Sequence, residues 1–216
     1  MALKLYFHPL SSFCQKVLVA LYENDTPFEA KLVDFADGAS RAEFLKIWPI
    51  GKFPVLVDEG RDHMIPESSI IIEYLAQHYP GKTKFLPADA DLARQTRMRD
   101  RFFDLYVAVP MQKIVTDRLR PAGQNDAFGV DQANTALLTA LGMVDQEMEN
   151  KTWAMGETFT MADCAAAPAL AYANRVIAFG KSHKNAAAYL ERLSKRPSFA
   201  RALKEAEPYS AMFPKS

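Results

Sequence analysis

The stretch Leu3-Lys4-Leu5-Tyr6-Phe7-His8-Pro9-Leu10-Ser11-Ser12-Phe13-Cys14-Gln15-Lys16-Val17-Leu18 changes its hydrophobic period in the middle. Leu3, Leu5 and Phe7 alternate with Lys4 and Tyr6, which predicts a strand ending at His8-Pro9. Cys14, Val17, Leu18 and Leu21 then recur at i, i+3, i+4 and i+7, the apolar face of a helix. After the breaker cluster Asn24-Asp25-Thr26-Pro27, residues Phe28 to Phe35 read as a second strand. A helix between two strands makes the strands parallel, because the chain must cross back to start the second in the same direction.

Working outward, Ser40-Arg41-Ala42-Glu43 has the form of a capping box and predicts a short helix from Ser40 to Trp48, stopped by Pro49. Pro54 to Asp58 and His63 to Ile65 predict a hairpin, and the next helix carries Ile71, Tyr74, Leu75 and His78 on one face. The order β-α-β-α-β-β-α is that of a thioredoxin-like domain over residues 1–80. Residues 81–90 read as a linker, and no strand is predicted beyond it. Helical periodicity runs from Asp91 to Arg120 with Pro110 bending it, and a second helix is expected from Gln132 to Glu149. A third begins at the capping box Thr160-Met161-Ala162-Asp163, and two short ones flank Pro197. Residues 91–216 are therefore expected to form an all-helical domain.

Composition excludes several classes of function. The 216 residues carry 26 Lys or Arg against 26 Asp or Glu, so the cationic excess with which a protein grips nucleic acid or an anionic membrane is missing. The longest nearly apolar stretch, Cys164 to Ala173, is far short of the roughly 20 residues that span a bilayer. Cys14 and Cys164 are too few for a disulfide framework, and the four histidines show no metal-ligand spacing. The expectation is a cytoplasmic protein with no metal and no permanently bound cofactor.

Three segments carry candidate chemistry. Where a thioredoxin-like domain has C-x-x-C, this chain has Ser11-Ser12-Phe13-Cys14. The redox pair is replaced by a hydroxyl donor at a helix N-terminus, a place that stabilises an anion brought by a ligand. A free thiol of pKa about 8.5 needs a shift of about 1.5 units, roughly 2 kcal/mol, to be half ionised at pH 7. One hydrogen bond to a charged acceptor supplies about 1.5–3 kcal/mol, and a helix N-terminus adds about 0.3–1. Second, Gly51-Lys52-Phe53-Pro54 puts a proline after a bulky residue at a strand mouth, the position of a cis peptide in this fold, with Lys52 available to a carboxylate. Third, Pro66-Glu67-Ser68-Ser69 opens a helix with a carboxylate for an ammonium and a hydroxyl for a carboxylate, a combination that suits an α-amino acid group. Each segment also has a structural reading: serine as an ordinary N-cap, Cys14 as a small core residue, Pro54 as a trans proline opening an edge strand. Arg94, Arg97 and Arg101 read as a solvated helix face paired with Asp100 and Asp104.

In their order and spacing, these motifs resemble the cytosolic glutathione transferases along almost the whole chain. The first turn is similar to the serine-type classes such as theta, delta and zeta, and departs from the zeta-like S-S-C-S at Phe13. The resemblance implies a glutathione transferase that adds the glutathione thiolate to a small hydrophobic electrophile. Ser11 would hold the sulfur as the catalytic residue. Phe53 beside cis-Pro54 would pair with the cysteinyl unit, Lys52 would lie near the glycine carboxylate, and Glu67 with Ser68 would hold the γ-glutamyl group. Glutathione is then a co-substrate. The acceptor pocket is expected between the domains at Leu10, Phe103 and Tyr106, and the protein is expected to be a homodimer. Other readings stay open: a glutathione-dependent isomerase, a disulfide reductase using Cys14, or a non-catalytic binding module.

Overall fold

The computed structural model describes residues 2–214. Strand β1 (Leu3–Phe7) runs into helix α1 (Ser12–Glu23), then β2 (Glu29–Leu32), α2 (Gly38–Ile47), β3 (Val55–Asp58), β4 (His63–Pro66) and α3 (Ser68–His78). The sheet order is β2-β1-β3-β4. β1 lies parallel to β2, with Leu5 opposite Ala30, and antiparallel to β3, with Leu5 opposite Leu56; β3 and β4 form the expected hairpin. The alternating residues Leu3, Leu5 and Phe7 are all buried, and so is the α1 stripe of Cys14, Val17, Leu18 and Leu21. The period change in the first segment is thus a change of burial geometry, from one sheet face to one helix face.

Helix α2 begins earlier than its capping-box reading predicts. Asp37 is the N-cap, its Oδ1 accepting from the Ala39 amide at 2.9 Å, while Ser40 sits inside the helix and its Oγ accepts from Asp34 N–H. A carboxylate three residues upstream was the stronger cap for the first-turn amides.

Among the described residues no further strand follows, apart from an isolated bridge between Trp153 and Gly156: the chain forms α4 (Ala90–Phe102), α5 (Val109–Asp117), α6 (Ala127–Glu147), α7 (Met161–Val176), α8 (Lys184–Lys195) and α9 (Pro197–Ala206), with 3-10 turns over Met148–Asn150 and Glu207–Met212. A π-helical turn, Phe103–Ala108, joins α4 to α5 immediately before Pro110. Proline lacks an amide and crowds the carbonyl four residues back, and a widened turn absorbs that mismatch without ending the helix. Helix α6 starts five residues before the expected Gln132, because Asp126 caps it through the Gly129 amide at 2.9 Å. The capping box at Thr160 and Asp163 forms as expected, and buried Asp163 also accepts from Ala154 N–H at 2.8 Å and from Tyr189 Oη at 2.5 Å. No helix among the described residues is long and apolar enough to cross a membrane.

Two polar clusters join the sheet-bearing part to the helices. Lys16, 1% exposed on α1, meets Asp100 at 2.7 Å, Asp104 at 2.8 Å and Ser69 Oγ at 2.8 Å. Asp100 and Asp104 are therefore buried anchors and not the solvated partners of an arginine face. Arg97 pairs with Glu73, Arg94 with Asp91, and only Arg101 reaches Asp104, at 3.0 Å. Burial holds the Asp100 carboxyl above its usual range, opposed by the Lys16 ammonium. At the other end of α1, Glu23 takes both arms of Arg196 at 2.7 Å and the Ser198 hydroxyl at 2.5 Å. Burial pushes the Glu23 carboxyl up, but Arg196 and Ser198 outweigh it and hold it below its usual range.

Replacing Lys16 by Met leaves two carboxylates buried without their shared cation, and the expected loss of unfolding free energy in urea is about 3–5 kcal/mol. Glu23→Gln is expected to cost about 2–3 kcal/mol at pH 7. Because the folded-state pKa of Glu23 is depressed, its contribution is complete above the unfolded carboxylate value of about 4.3 and is lost as pH falls through the lower folded value. Paired urea titrations of wild type and Glu23→Gln from pH 7 to pH 3 should therefore converge at the acid end.

Candidate active site

The first turn of α1 is built on its cap. Ser11 has extended backbone, and its half-buried Oγ accepts from the Cys14 amide at 3.3 Å. Ser12 is buried, and its Oγ has no partner among the described residues, facing a closed spot by Phe13, Lys16 and Asp104. Cys14 is fully buried. Burial pushes its thiol up to about 12, with the Ser11 hydroxyl and the His8 backbone pulling weakly the other way. Such a thiol is neutral at physiological pH and closed to solvent, which argues against nucleophilic chemistry at Cys14.

Facing this turn is a cleft of about 220 Å³ between the sheet-bearing part and the helices. Lys52, Phe53, Pro54, Glu67 and Ser68 border it together, although two sequence-distant segments supply them. The Phe53–Pro54 peptide bond is cis. Gly51, at φ 70°, turns the chain into that segment, where a side chain would be strained and would crowd Leu45 at 3.2 Å. Glu67 caps α3 with φ 69° and ψ 118° and makes no side-chain capping bond, so its carboxylate is exposed toward the cleft while its backbone is held in a region that costs roughly 1–3 kcal/mol. Ser68 beside it is buried at the first turn of α3.

The helical wall differs from expectation. Phe103 is 3% exposed and belongs to the core, and Tyr106 is 58% exposed, packed on the Phe102 ring at 5.5 Å and off the cleft. Arg101, Leu105, Val109 and Gln112 line the cleft instead, a stripe at i, i+4, i+8 and i+11. That spacing is present in the sequence, whereas the apolar Phe103 gains more from full burial than from a wet cleft. Phe13 and Trp48 also line it. Leu10 does not; it borders a second cavity of about 230 Å³ on the other side of α1, with Tyr172 Oη donating to the Leu10 carbonyl at 2.8 Å. Within the turn, Leu10 borders one cavity and Phe13 the other, while Ser11 itself lines neither.

His8 is a site neighbour that nothing in the sequence marked. Its Nδ1 accepts from Leu10 N–H at 3.2 Å, and its ring lies 6.3 Å from Phe53 and 5.1 Å, edge-on, from Tyr209 of the C-terminal segment. Burial lowers its pKa, against the opposing Asp34 carboxylate.

A thioredoxin-like domain with a hydroxyl in the nucleophile's place, a cis-proline cleft and an all-helical second half defines a class of glutathione-handling proteins. Family models bear this out: residues 5–83 match the glutathione S-transferase N-terminal domain, and residues 102–197 match the glutathione S-transferase C-terminal domain. The chain belongs to the glutathione S-transferase family and is an enzyme of that class. Among its relatives, glutathione S-transferase F13 of Arabidopsis thaliana is 27% identical over 92% of this chain and 94% of that protein. Glutathione S-transferase hmp2 of Hypomyces subiculosus is 29% identical over 76% of this chain and 78% of that protein. A crystal structure of a glutathione S-transferase from Methylobacillus flagellatus with GSH bound superposes with a TM-score of 0.84 at 25% identity, covering 93% of this chain and 98% of that one.

The burial of Cys14 has a direct chemical consequence. Alkylation of the native protein by iodoacetamide at pH 7.5 is expected to leave Cys14 unmodified over a period in which the urea-unfolded chain reacts completely, as read by peptide mass spectrometry.

Proposed function

We propose that the protein conjugates the glutathione thiolate to small hydrophobic electrophiles, with residues 1–80 holding glutathione and residues 91–216, after the 81–90 linker, closing the acceptor side. The observation that carries this reading is the gathering of Lys52, Phe53, Pro54, Glu67 and Ser68 on one cleft wall beside the Ser11 turn. In it, Glu67 accepts from the α-ammonium of the γ-glutamyl unit, Ser68 and the α3 amides meet its carboxylate, and Lys52 meets the glycine carboxylate. Phe53 pairs its backbone with the cysteinyl unit. The sulfur then rests at Ser11, whose hydroxyl donates to the thiolate while the α1 N-terminus adds its positive end.

Catalysis consists of two parts in this reading. Ser11 shifts the thiol toward its anion at neutral pH, and the cleft fixes the sulfur against an acceptor seated on the Leu10 side, replacing a bimolecular encounter by a positioned one. The thiol proton leaves to solvent as the thiolate forms. A buried, neutral Cys14 counts against the alternative of disulfide reduction through this residue. The same reading makes the enzyme a cytoplasmic homodimer, and sedimentation equilibrium should then give twice the chain mass of 24.2 kDa.

Ser11→Ala removes the hydrogen bond to the charged sulfur. The pKa of bound glutathione, followed by ultraviolet thiolate absorbance, is expected to rise by about 1–2 units, equivalent to about 1.5–3 kcal/mol. An unchanged pKa in the variant rules out the role given to Ser11.

A further inference from the structure

The second cavity has a chemistry that its hydrophobic walls alone do not explain. Leu10, Ala171, Tyr172, Leu203 and Ala206 give it apolar sides, and Arg175 stands at its rim. The Arg175 guanidinium lies 4.7 Å from the centre of the Phe213 ring and 5.7 Å from that of Tyr172. These rings hold it in place without neutralising it. Among the described residues no carboxylate lies within ion-pair distance of Arg175; Glu207 borders the same cavity but is not its partner. The wall beneath is hydrogen-bonded. Gln15, 1% exposed, donates from Nε2 to the Pro9 carbonyl at 2.8 Å and to Tyr172 Oη at 3.3 Å, and its Oε1 is an acceptor with no donor among the described residues. Tyr172 is stacked on Phe213 at 5.5 Å between ring centres, so the C-terminal segment closes one side.

We propose that this cavity is a specificity site for electrophiles that carry an anionic group on an aromatic ring, with Arg175 as the specificity-determining residue. The assignment rests on the reading that glutathione is activated at Ser11. At about 230 Å³ the cavity suits one substituted ring, below the roughly 300–1,000 Å³ typical of drug-sized ligand pockets. The ring packs between Leu10, Tyr172 and Leu203, and its carboxylate or sulfonate meets the Arg175 guanidinium, a planar donor matched to such groups. Leu10 on the cavity wall directly precedes Ser11 in the chain, and in this proposal the reactive carbon sits at the Leu10 end. For an aryl halide the thiolate sulfur forms a C–S bond to the halogen-bearing carbon, and halide departs with the bonding pair.

The test is calorimetric titration of the protein, without glutathione, with 3,5-dinitrobenzoate and separately with its methyl ester. The wild type is expected to bind the acid at least several-fold more tightly than the ester. Arg175→Gln should weaken the acid about tenfold, the effect of losing one charge-assisted contact, and leave the ester within about twofold. Arg175→Lys, which keeps the charge but loses the planar fork and its packing on the rings, should recover only part of the acid affinity lost in Arg175→Gln, and Arg94→Gln, which alters an exposed arginine away from the cavity, should change neither ligand. Equal binding of acid and ester by the wild type, no binding of either, or equal weakening of both in Arg175→Gln overturns the proposal, the last by showing that the arginine only packs. Ser11→Ala separates the two readings: acid binding should persist in it. If that variant also retains the thiolate absorbance of bound glutathione, the role of Ser11 fails while the Arg175 site stands on calorimetry.

Discussion

A lysine ammonium buried between two carboxylates is the constraint on which the arrangement of this molecule depends. Lys16 comes from α1, Ser69 from α3, and Asp100 and Asp104 from the long helical segment that begins the second half of the chain. None of these groups tolerates burial alone, since an unpaired ion in a poorly polarisable interior costs several kcal/mol. The cluster is satisfied in only one relative placement of the three helices. Apolar contacts between the same helices accept many small slides, whereas an ion pair at 2.7 Å accepts few.

That placement decides the site. Arg101 and Asp104 belong both to the polar cluster and to the cleft wall, and Ser69 follows directly on Glu67 and Ser68. The anchor that joins the two halves therefore also sets the distance between the Glu67–Ser68 end of the cleft and its helical wall. At the opposite end of α1, Glu23 with Arg196 and Ser198 performs a similar joining against α9. Held at both ends, α1 presents its N-terminal turn, with Leu10 on a mainly apolar cavity and Phe13 on a mixed polar and apolar cleft. Such a boundary suits the proposed conjugation of an anionic sulfur to a hydrophobic acceptor, because each partner would be solvated by its own wall.

Much of this was legible from local pattern. Strand and helix periods along the first eighty residues, the hairpin, the capping box at Thr160 and the proline of the cis peptide all express short-range physics, in which a residue's neighbours decide its state. The two helix starts that differ from expectation are also local: Asp37 and Asp126 cap through their own side chains, a signal that neither the Ser40 pattern nor apolar periodicity contains. The candidate glutathione residues Lys52, Phe53, Pro54, Glu67 and Ser68 do share one wall. Phe103 and Tyr106 failed as pocket residues because aromatic identity does not say which side of a helix faces a neighbour.

The sequence by itself determined the two-part architecture, the loss of the redox cysteine pair, and the hydroxyl at the head of α1, since each follows from residue type and spacing within a few turns of chain. Tertiary structure alone decided that Lys16, Asp100 and Asp104 are buried partners, that His8 lies against Phe53 and Tyr209, and that Arg175 overlooks a cavity bordered by Leu10. Those residues are charged or polar and far apart in sequence. Whether such a group is solvated or buried depends on what the folded chain brings against it, and no periodicity along the chain records that.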